Sequence, residues 1–320
     1  MTQVLVTGAN GFVGKALCST LTAAGWQVRK AVRRPGLSTS DSPNTTVEIG
    51  EIGTDTDWSE ALDGIEIVIH LAARVHVMTE TADDPLTEFR RVNTIGTEHL
   101  ARMAANCGVK RFVFLSTIKV NGESTVAPFT EKDPPHPEDA YAVSKWEAEQ
   151  HLLQVSQEKG LDVIIIRSPL VYGPEVKGNF LRILRWVDSG IPLPLGKVEN
   201  SRSLVFLDNL VDLLRHSLEH PAAVNKTFLV ADDVAMSVPE LIRQIAGAMG
   251  KKCRLVPVPL SFLQLGALLL GCSRHLSRLS DSLQVDNRFV KKCLDWTPPV
   301  STQEGLLKTV QWYRDSKRQC

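Results

Sequence analysis

The chain has 320 residues, of which 43% are apolar and 22% are charged, and 36 basic residues balance 36 acidic ones. This composition is ordinary for a globular protein and argues against extensive disorder. The neutral balance gives no support for nucleic acid or an anionic membrane as the main partner, although it leaves room for a local basic site. The six dispersed cysteines form no close pair, which disfavours a disulfide scaffold or a structural zinc site. We therefore expect a cytoplasmic protein.

The N-terminus and the longest apolar stretch do not predict a signal peptide or a membrane span. The apolar run Val4–Val6 leads directly into Thr7 and Gly8, so we expect no signal peptide. The longest apolar stretch, residues 257–272, is broken by Pro259 and by polar residues, and it is shorter than the ~20 apolar residues of a spanning helix. We expect a buried helix or a lid there, with shallow membrane contact as the alternative.

The first half of the chain alternates short β-branched runs with longer helical patterns, which is typical of βαβ units and a parallel sheet. The predicted strands are Val4–Thr7, Val28–Val32, Ile65–Leu71, Arg111–Ser116 and Val163–Arg167, and the predicted helices are Phe12–Ala24, Pro85–Cys107 and Ala140–Lys159. After Pro169, proline and glycine become frequent and the alternation stops. The pattern predicts a doubly wound α/β Rossmann domain over residues 1–170. Residues 171–320 are expected to form a smaller substrate-binding portion, with some segments returning to the first domain.

A glycine-rich loop lies at the predicted junction of the first strand and helix, where residues 7–14 read TGANGFVG. Glycines at such a junction allow a tight turn and a close approach of backbone to a pyrophosphate. The following helix N-terminus offers unpaired N–H groups and the positive end of its dipole. The G-x-x-G-x-x-G spacing is weak evidence alone, but its place at the start of an α/β chain favours dinucleotide binding.

The second predicted strand bears on the choice of dinucleotide. An NAD site usually has an acidic residue about 20 residues beyond the glycines, on the ribose 2′-hydroxyl. No acidic residue occurs between Lys15 and Ser40, whereas Arg33 and Arg34 follow the strand. Arginines there can hold a 2′-phosphate. The sequence thus favours NADP(H) over NAD(H), with a solvated basic turn as the structural alternative.

Tyr141 and Lys145 lie one turn apart on a predicted helix. A free tyrosine has a pKa of about 10, and a nearby ammonium is expected to lower it enough for acid–base catalysis. Tyr313 and Lys317 have the same Y-x-x-x-K spacing on a polar C-terminal tail, so the spacing alone is poor evidence. Only the first pair follows a strand that ends in hydroxyl residues, at Thr117.

Several motifs in order resemble the extended short-chain dehydrogenase/reductases, the NAD-dependent epimerase/dehydratase family of nucleotide-sugar enzymes. They are the glycine loop, HLAA at 70–73, Asn93, Ser116 with Thr117, Tyr141 with Lys145, RSPLVYGP at 167–174, SLVFLD at 203–208 and LDWTP at 294–298. Together they cover nearly the whole chain.

This resemblance implies roles for individual residues. Thr117, Tyr141 and Lys145 would be catalytic: Thr117 binds the reacting sugar oxygen, Tyr141 exchanges a proton, and Lys145 binds the nicotinamide ribose. The cofactor would be bound by Gly8, Asn10, Gly11, Phe12, Val13, Gly14, Arg33, Arg34, Glu51, Ile52, Leu71, Ala72, Ala73, Asn93, Lys145 and Pro169. The UDP-sugar substrate would contact Ser116, Thr117, Tyr141, Asn179 and Arg202, and a homodimer is expected.

Three chemistries share this site in the family that the chain resembles. Dehydratases carry an Asp-Glu pair after the catalytic Thr, whereas Ile118 and Lys119 stand here, which disfavours elimination. Arg33 and Arg34 favour an NADPH-consuming 4-ketoreductase over a 4-epimerase. Residues 278–286 and the apolar segment before them resemble bacterial reductases of UDP-2-acetamido-4-keto-2,6-dideoxyhexose, which make UDP-N-acetylquinovosamine or UDP-N-acetylfucosamine for surface polysaccharide such as O-antigen. The 4-epimerase stays as the alternative.

Two readings from other classes are less favoured. His216, Glu219 and His220 match the H-x-x-E-H pattern of a zinc hydrolase, but the match ends at a proline on the last turn of a predicted helix and has no clear third ligand. We therefore expect no metal site. A non-catalytic dinucleotide-binding regulator on the same fold is disfavoured because Tyr141 and Lys145 are both present.

Overall fold

The structure is a computed structural model that describes residues 2–34, 45–75, 84–269 and 273–318. The strands are β1 (Gln3–Thr7), β2 (Gln27–Val32), β3 (Thr46–Glu48), β4 (Ile67–His70), β5 (Arg111–Thr117), β6 (Asp162–Ser168), β7 (Leu170–Tyr172), β8 (Leu204–Phe206) and β9 (Lys226–Leu229). The helices are α1 (Phe12–Ala23), α2 (Ser59–Leu62), α3 (Pro85–Phe89), α4 (Gly96–Asn106), α5 (Ala140–Lys159), α6 (Gly178–Ser189), α7 (Leu207–Ser217), α8 (Val238–Ala248), α9 (Leu260–Leu269), α10 (Ser273–Ser280), α11 (Arg288–Leu294) and α12 (Thr302–Arg318).

A seven-stranded parallel sheet forms the centre, in the order β3-β2-β1-β4-β5-β6-β9. The predicted doubly wound α/β fold is therefore confirmed. All five predicted strands exist within two residues of their predicted bounds, and the predicted helix Pro85–Cys107 exists with a π-helical turn at Arg90–Ile95 between α3 and α4. The short edge strands β3 and β9 were not predicted. The domain division at residue 170 stays a prediction, although β9 pairs with β6 and so joins a segment of the second half to the sheet.

Side chains of successive strand residues pack against helices on opposite faces of the sheet, because side chains alternate along a strand. On β1, Val4 and Val6 belong to a buried cluster with α1 and α7, while Leu5 belongs to a cluster with α2, α4 and α5. The same alternation holds for β4, β5 and β6. Burial on both faces explains why these strands read as continuous apolar runs in the sequence.

A smaller unit packs beside the sheet. Strands β7 and β8 pair in parallel, and Tyr172 and Phe206 from them lie in a third core with α6, α8 and α12. The buried carboxylate of Asp232 fixes this unit, since it accepts hydrogen bonds from the Tyr172 hydroxyl at 2.8 Å and from Asn209 at 2.7 Å. The space between this unit and the carboxyl ends of the parallel strands is the site described next.

Candidate active site

A cleft of about 1560 Å³ lies at the carboxyl ends of the central strands. Strands β2 and β4 flank β1 on opposite sides, so the chain order reverses there, and ligands of open α/β sheets bind at such a switch point. The cleft brings together nearly every predicted site residue. They are Gly8, Asn10, Gly11, Phe12, Val13, Gly14, Arg33, Arg34, Glu51, Ile52, Leu71, Ala72, Ala73, Ser116, Thr117, Tyr141, Lys145, Pro169, Asn179 and Arg202.

The glycine loop is packed so closely that side chains are excluded. Gly8 has a φ of 68°, and a Cβ at Gly14 would lie 2.1 Å from the carbonyl oxygen of Gly8. Gly11 is the N-cap residue of α1, and no side chain among the described residues caps this helix end. The first-turn N–H groups of α1 therefore face the cleft with the positive end of the helix dipole, which fits a pyrophosphate.

The end of the cleft beside β2 holds charges of both signs. Arg33 and Arg34 follow β2, are exposed and line the cleft. Glu48, which pairs in register with Val32, also lines it. The sequence reasoning missed this carboxylate because the three-residue strand β3 was not recognised. A ribose in this part of the cleft could thus meet an acidic as well as a basic side chain.

Three elements position the catalytic candidates. Thr117 ends β5, and its hydroxyl oxygen accepts a hydrogen bond from the Lys119 backbone at 3.3 Å. Tyr141 lies in the first turn of α5, which is capped by the Asp139 side chain through a 2.7 Å bond from the Ala142 N–H. Lys145 lies one turn further and is buried, with its Nζ 3.7 Å from the centre of the Phe114 ring.

Burial governs the proton affinities of these groups. Removal from water, and then the Asp139 carboxylate, raise the pKa of Tyr141 above its ordinary value. Our expectation that a nearby Lys145 would lower the pKa of Tyr141 is therefore wrong, because the pKa is raised. Burial lowers the pKa of Lys145 to about 7, although the negative charge of Glu149 acts to raise it. Lys145 therefore changes between its charged and neutral forms at a pH of about 7.

His70, at the end of β4, is a structural residue behind the cleft. Its Nδ1 lies 2.7 Å from the Thr7 hydroxyl and its Nε2 lies 2.9 Å from the Thr97 hydroxyl. Burial, with a smaller effect from the Lys145 charge, lowers the pKa of His70 to about 3. A neutral imidazole therefore links β1, β4 and α4.

Two predicted contact residues act differently from what the resemblance implied. Ser116 lines the cleft, but its hydroxyl donates a 2.5 Å hydrogen bond to buried Glu149, because adjacent strand residues point to opposite faces. Glu149 in turn pairs with Arg167 at 2.5 Å. Asn93 is not brought to the cleft: it is buried and bonds to both backbone groups of Arg74 and to the Ser144 hydroxyl. It supports the cleft wall by joining the segment after β4 to α5.

The far end of the cleft presents a face of α6. Asn179, Arg182, Ile183 and Trp186 all line the cleft, with Lys177 just before the helix. Their spacing of three, four and seven residues is that of one helical face, and this signal could have revealed Arg182 and Trp186 from the sequence. The set provides cations, an amide and an aromatic ring, which suits a phosphorylated ligand with a planar base.

A charged cluster lies close to Thr117 and was also missed. The Lys119 Nζ lies 2.7 Å from a Glu123 carboxylate oxygen and 2.6 Å from one of Asp139. Lys119 and Glu123 both line the cleft. The position where a dehydratase would carry an acid is thus held by a lysine that is already paired.

Residues of the H-x-x-E-H motif and of the second Y-x-x-x-K motif form hydrogen bonds outside the cleft. His216 bonds through Nε2 to the Leu294 carbonyl at 2.8 Å, and the Nδ1 of His220 accepts from the Ala222 N–H at 3.2 Å. Within the described ranges, no group of three or more His, Cys, Asp or Glu residues is arranged to hold a metal. Tyr313 lies on α12 and bonds to Asp188 at 3.2 Å, outside the cleft.

The fold and the cleft are those of a dinucleotide-binding α/β enzyme. A family model described as "NAD dependent epimerase/dehydratase family" matches residues 4–231. The chain is 43% identical over 312 residues to a UDP-glucose 4-epimerase of Vibrio cholerae, covering 97% of this chain and 94% of that protein. The chain therefore belongs to the NAD dependent epimerase/dehydratase family.

More distant relatives agree with this assignment. The chain is 27% identical to the N-acetyl-alpha-D-glucosaminyl-diphospho-ditrans,octacis-undecaprenol 4-epimerase of Escherichia coli O157:H7, covering 97% of this chain and 95% of that protein. The structure of MoeE5 in complex with UDP-glucuronic acid and NAD is similar with a TM-score of 0.78 and 26% identity, covering 98% of this chain and 99% of that one.

Proposed function

We propose that the protein is a 4-epimerase of a UDP-hexose or UDP-N-acetylhexosamine that uses a nicotinamide dinucleotide. The observation that carries this proposal is that Thr117, Tyr141 and Lys145 line the same cleft as the glycine loop. The 43% identity to a UDP-glucose 4-epimerase supports this reaction above the 4-ketoreductase that we favoured from the sequence. The N-acetylhexosamine option is supported by the Escherichia coli relative, which is named for an N-acetylglucosaminyl substrate.

Inversion at C4 requires one group to take a proton from the C4 hydroxyl and return it. Tyr141 is suited to this because its phenol lines the cleft with Thr117, whose hydroxyl can hold the same oxygen. When bound, the nicotinamide supplies a hydride acceptor and donor. Lys145 must be charged to favour the phenolate, and its pKa of about 7 means that this charge is lost as the pH rises above neutrality.

The cleft also explains why elimination is not proposed. Ile118 and Lys119 stand where dehydratases carry an Asp-Glu pair, and the Lys119 ammonium is held by Glu123 and Asp139. These two positions therefore lack the acid and the base that loss of water from the sugar would need. The cations Lys177, Arg182 and Arg202 at the far end of the cleft are suited to a diphosphate, which supports a nucleotide-activated sugar as the substrate.

The glycine loop fits the pyrophosphate of either NAD or NADP, so the ribose end decides between them. Arg33 and Arg34 favour a 2′-phosphate, whereas Glu48 favours a free 2′-hydroxyl. The MoeE5 structure contains NAD. We infer NAD as the cofactor of the epimerase and expect Glu48→Gln to weaken NAD binding, while Arg33→Ala with Arg34→Ala weakens only binding of NADP. Affinities measured for all three proteins would decide this.

A 4-ketoreductase in surface polysaccharide synthesis is the second candidate, and the arginine pair after β2 is the observation that favours it. The two reactions differ in their cofactor balance. The test is to incubate the protein with UDP-glucose or UDP-N-acetylglucosamine, and separately with NADPH and a UDP-4-keto-6-deoxy-N-acetylhexosamine. We expect a C4-inverted product in the first mixtures and no loss of NADPH absorbance in the second. Stoichiometric NADPH loss without inversion would instead establish the reductase.

A cytoplasmic location and a homodimer remain part of this proposal. In the portions of the chain that the structure describes, no helix combines the length and apolar character required to cross a bilayer. The dispersed cysteines, of which Cys107 and Cys253 are exposed as free thiols, support a reducing compartment. Light scattering of the purified protein would test the dimer.

A further inference from the structure

Helix α9 (Leu260–Leu269) carries large apolar side chains on its outer surface. Phe262 is 67% exposed, Leu265 56%, Leu268 70% and Leu269 78%. Leu263 on the opposite side packs against the core of the smaller unit, so the helix is anchored to the protein by one face only. A helix that binds nothing on its outer face would be expected to carry polar residues there. Four exposed apolar side chains on ten residues mark an interaction surface.

Two further exposed apolar side chains lie on the segment before α9 and on the loop beside that segment. The segment before α9 runs beside the loop after α6, because the Leu193 N–H donates to the Arg254 carbonyl and the Val256 N–H donates to the Leu193 carbonyl, each at 2.8 Å. Ile191 on the one segment is 63% exposed and Val256 on the other is 42% exposed. We call these two residues, with the four on α9, the apolar face.

The stretch of sequence that contains α9 carries charged residues of one sign only. No Asp or Glu occurs between Glu240 and Asp281, whereas six basic residues do: Arg243, Lys251, Lys252, Arg254, Arg274 and Arg278. The chain as a whole has equal numbers of acidic and basic residues, so this segment is a local exception. Lys251 is paired with Asp188 at 2.5 Å, while Lys252 lies exposed two residues before Arg254. Basic residues beside exposed aromatic and leucine side chains are typical of helices that lie in the interface of an anionic membrane.

This charge argues against a second copy of the chain as the occupant. A two-fold dimer would place the apolar face of one copy against the same face of the other, and thereby bring two sets of like charges together. Anionic phospholipid headgroups instead complement the basic residues, and the acyl region accepts the apolar side chains. We propose that the apolar face docks the protein on an anionic lipid surface, with α9 lying in the plane of the interface.

Docking would bring the cleft close to the lipid. Leu279 on α10, the helix that follows and contacts α9, lines the cleft, as does Trp186 three residues before the end of α6. The substrate end of the cleft is therefore lined by α6 and α10, the two helices that adjoin parts of the apolar face. This proposal does not depend on which sugar or reaction the cleft serves.

The test is co-sedimentation of the full-length protein with vesicles. The protein should bind vesicles of phosphatidylethanolamine with phosphatidylglycerol, bind phosphatidylcholine vesicles at least ~10-fold more weakly, and be released by salt. The double variant Leu265→Asp/Leu268→Asp should lose this binding by at least ~10-fold. Val126→Asp is the matched control, because Val126 is fully exposed but does not belong to the apolar face, and this variant should bind as the unaltered protein does.

Two further measurements make the outcome decisive. The thermal unfolding midpoints show whether the double variant is folded, and Lys252→Glu offers a second variant that leaves α9 intact and should also weaken binding. Light scattering reports the mass in solution. Failure of the unaltered protein to bind anionic vesicles, or equal binding by the double variant, would overturn the proposal. Dissociation of a dimer by Leu265→Asp/Leu268→Asp, without vesicle binding by the unaltered protein, would assign the apolar face to a second copy.

Discussion

Replacing the buried Lys145 with methionine should make the protein more stable and inactive. The Lys145 side chain is 2% exposed, and burial lowers its pKa from 10.5 to about 7. Each pH unit of this displacement corresponds to about 1.4 kcal/mol, so holding the ammonium in the folded protein costs on the order of 4 kcal/mol at pH 7. Methionine has a similar length and carries no charge, and thus removes this cost together with the catalytic ammonium.

The pH dependence distinguishes this cause from better packing. Between about pH 7 and pH 10.5 the unfolded chain holds the Lys145 proton and the folded protein does not. The stability cost of this lysine is therefore present in full below about pH 7 and disappears as the pH rises through that window. The advantage of Lys145→Met should accordingly shrink from several kcal/mol at about pH 7 towards zero near pH 10.

Urea denaturation of nucleotide-free protein at three pH values between about 7 and 9 provides the measurement. Lys132→Met, at an exposed loop position, is the control and should change the free energy of unfolding little. A stability gain that does not vary with pH, or a loss of stability at pH 7, would refute the reasoning that the buried charge of Lys145 lowers the free energy of unfolding.

Two other substitutions have controls within the chain. Tyr141→Phe should lower turnover at least ~100-fold with cofactor binding retained, because only the exchanging hydroxyl is lost, whereas Tyr313→Phe removes the same group from the same sequence pattern outside the cleft and should leave turnover unchanged. Equal losses in kinetic assays would contradict the assignment. Gly14→Ala should prevent tight nucleotide binding or folding, since its Cβ would lie 2.1 Å from the Gly8 oxygen, while Gly247→Ala in α8 meets nothing within 4 Å and should stabilise slightly. Calorimetry of the two glycine variants would measure nucleotide binding and the unfolding temperature of each.

The central sheet and most of the cleft could be predicted because their signals are local. The buried strands are continuous apolar runs, and the glycine loop is recognisable from its spacing at the first strand–helix junction. Residues at or just after strand ends, such as Thr117 and Leu71, converge because parallel strands end at one edge of the sheet. Tyr141 could be identified from its spacing to Lys145 and from its place after a strand that ends in hydroxyl residues. Tyr313 has the same spacing to Lys317 but lacks such a strand before it.

What the sequence could not show depends on burial and on distant contacts. Glu48 reaches the cleft on a three-residue edge strand that is too short to give a pattern. The hydroxyl of Ser116 points to Glu149 rather than into the cleft, which depends on a buried ion pair between α5 and β6. The raised pKa of Tyr141 likewise follows from burial and from Asp139, which outweigh the expected effect of a lysine one turn away.

The proposed 4-epimerisation is tested most directly by NMR of the reaction in D₂O. We expect the protein, supplied with NAD, to interconvert UDP-glucose and UDP-galactose, or the two N-acetylhexosamine counterparts, with the original hydrogen retained at C4 and no net change in nicotinamide absorbance. Tyr141→Phe should abolish the interconversion. Absence of inversion with every one of these substrates, together with NADPH-dependent reduction of a 4-keto sugar, would contradict the epimerase assignment and restore the reductase.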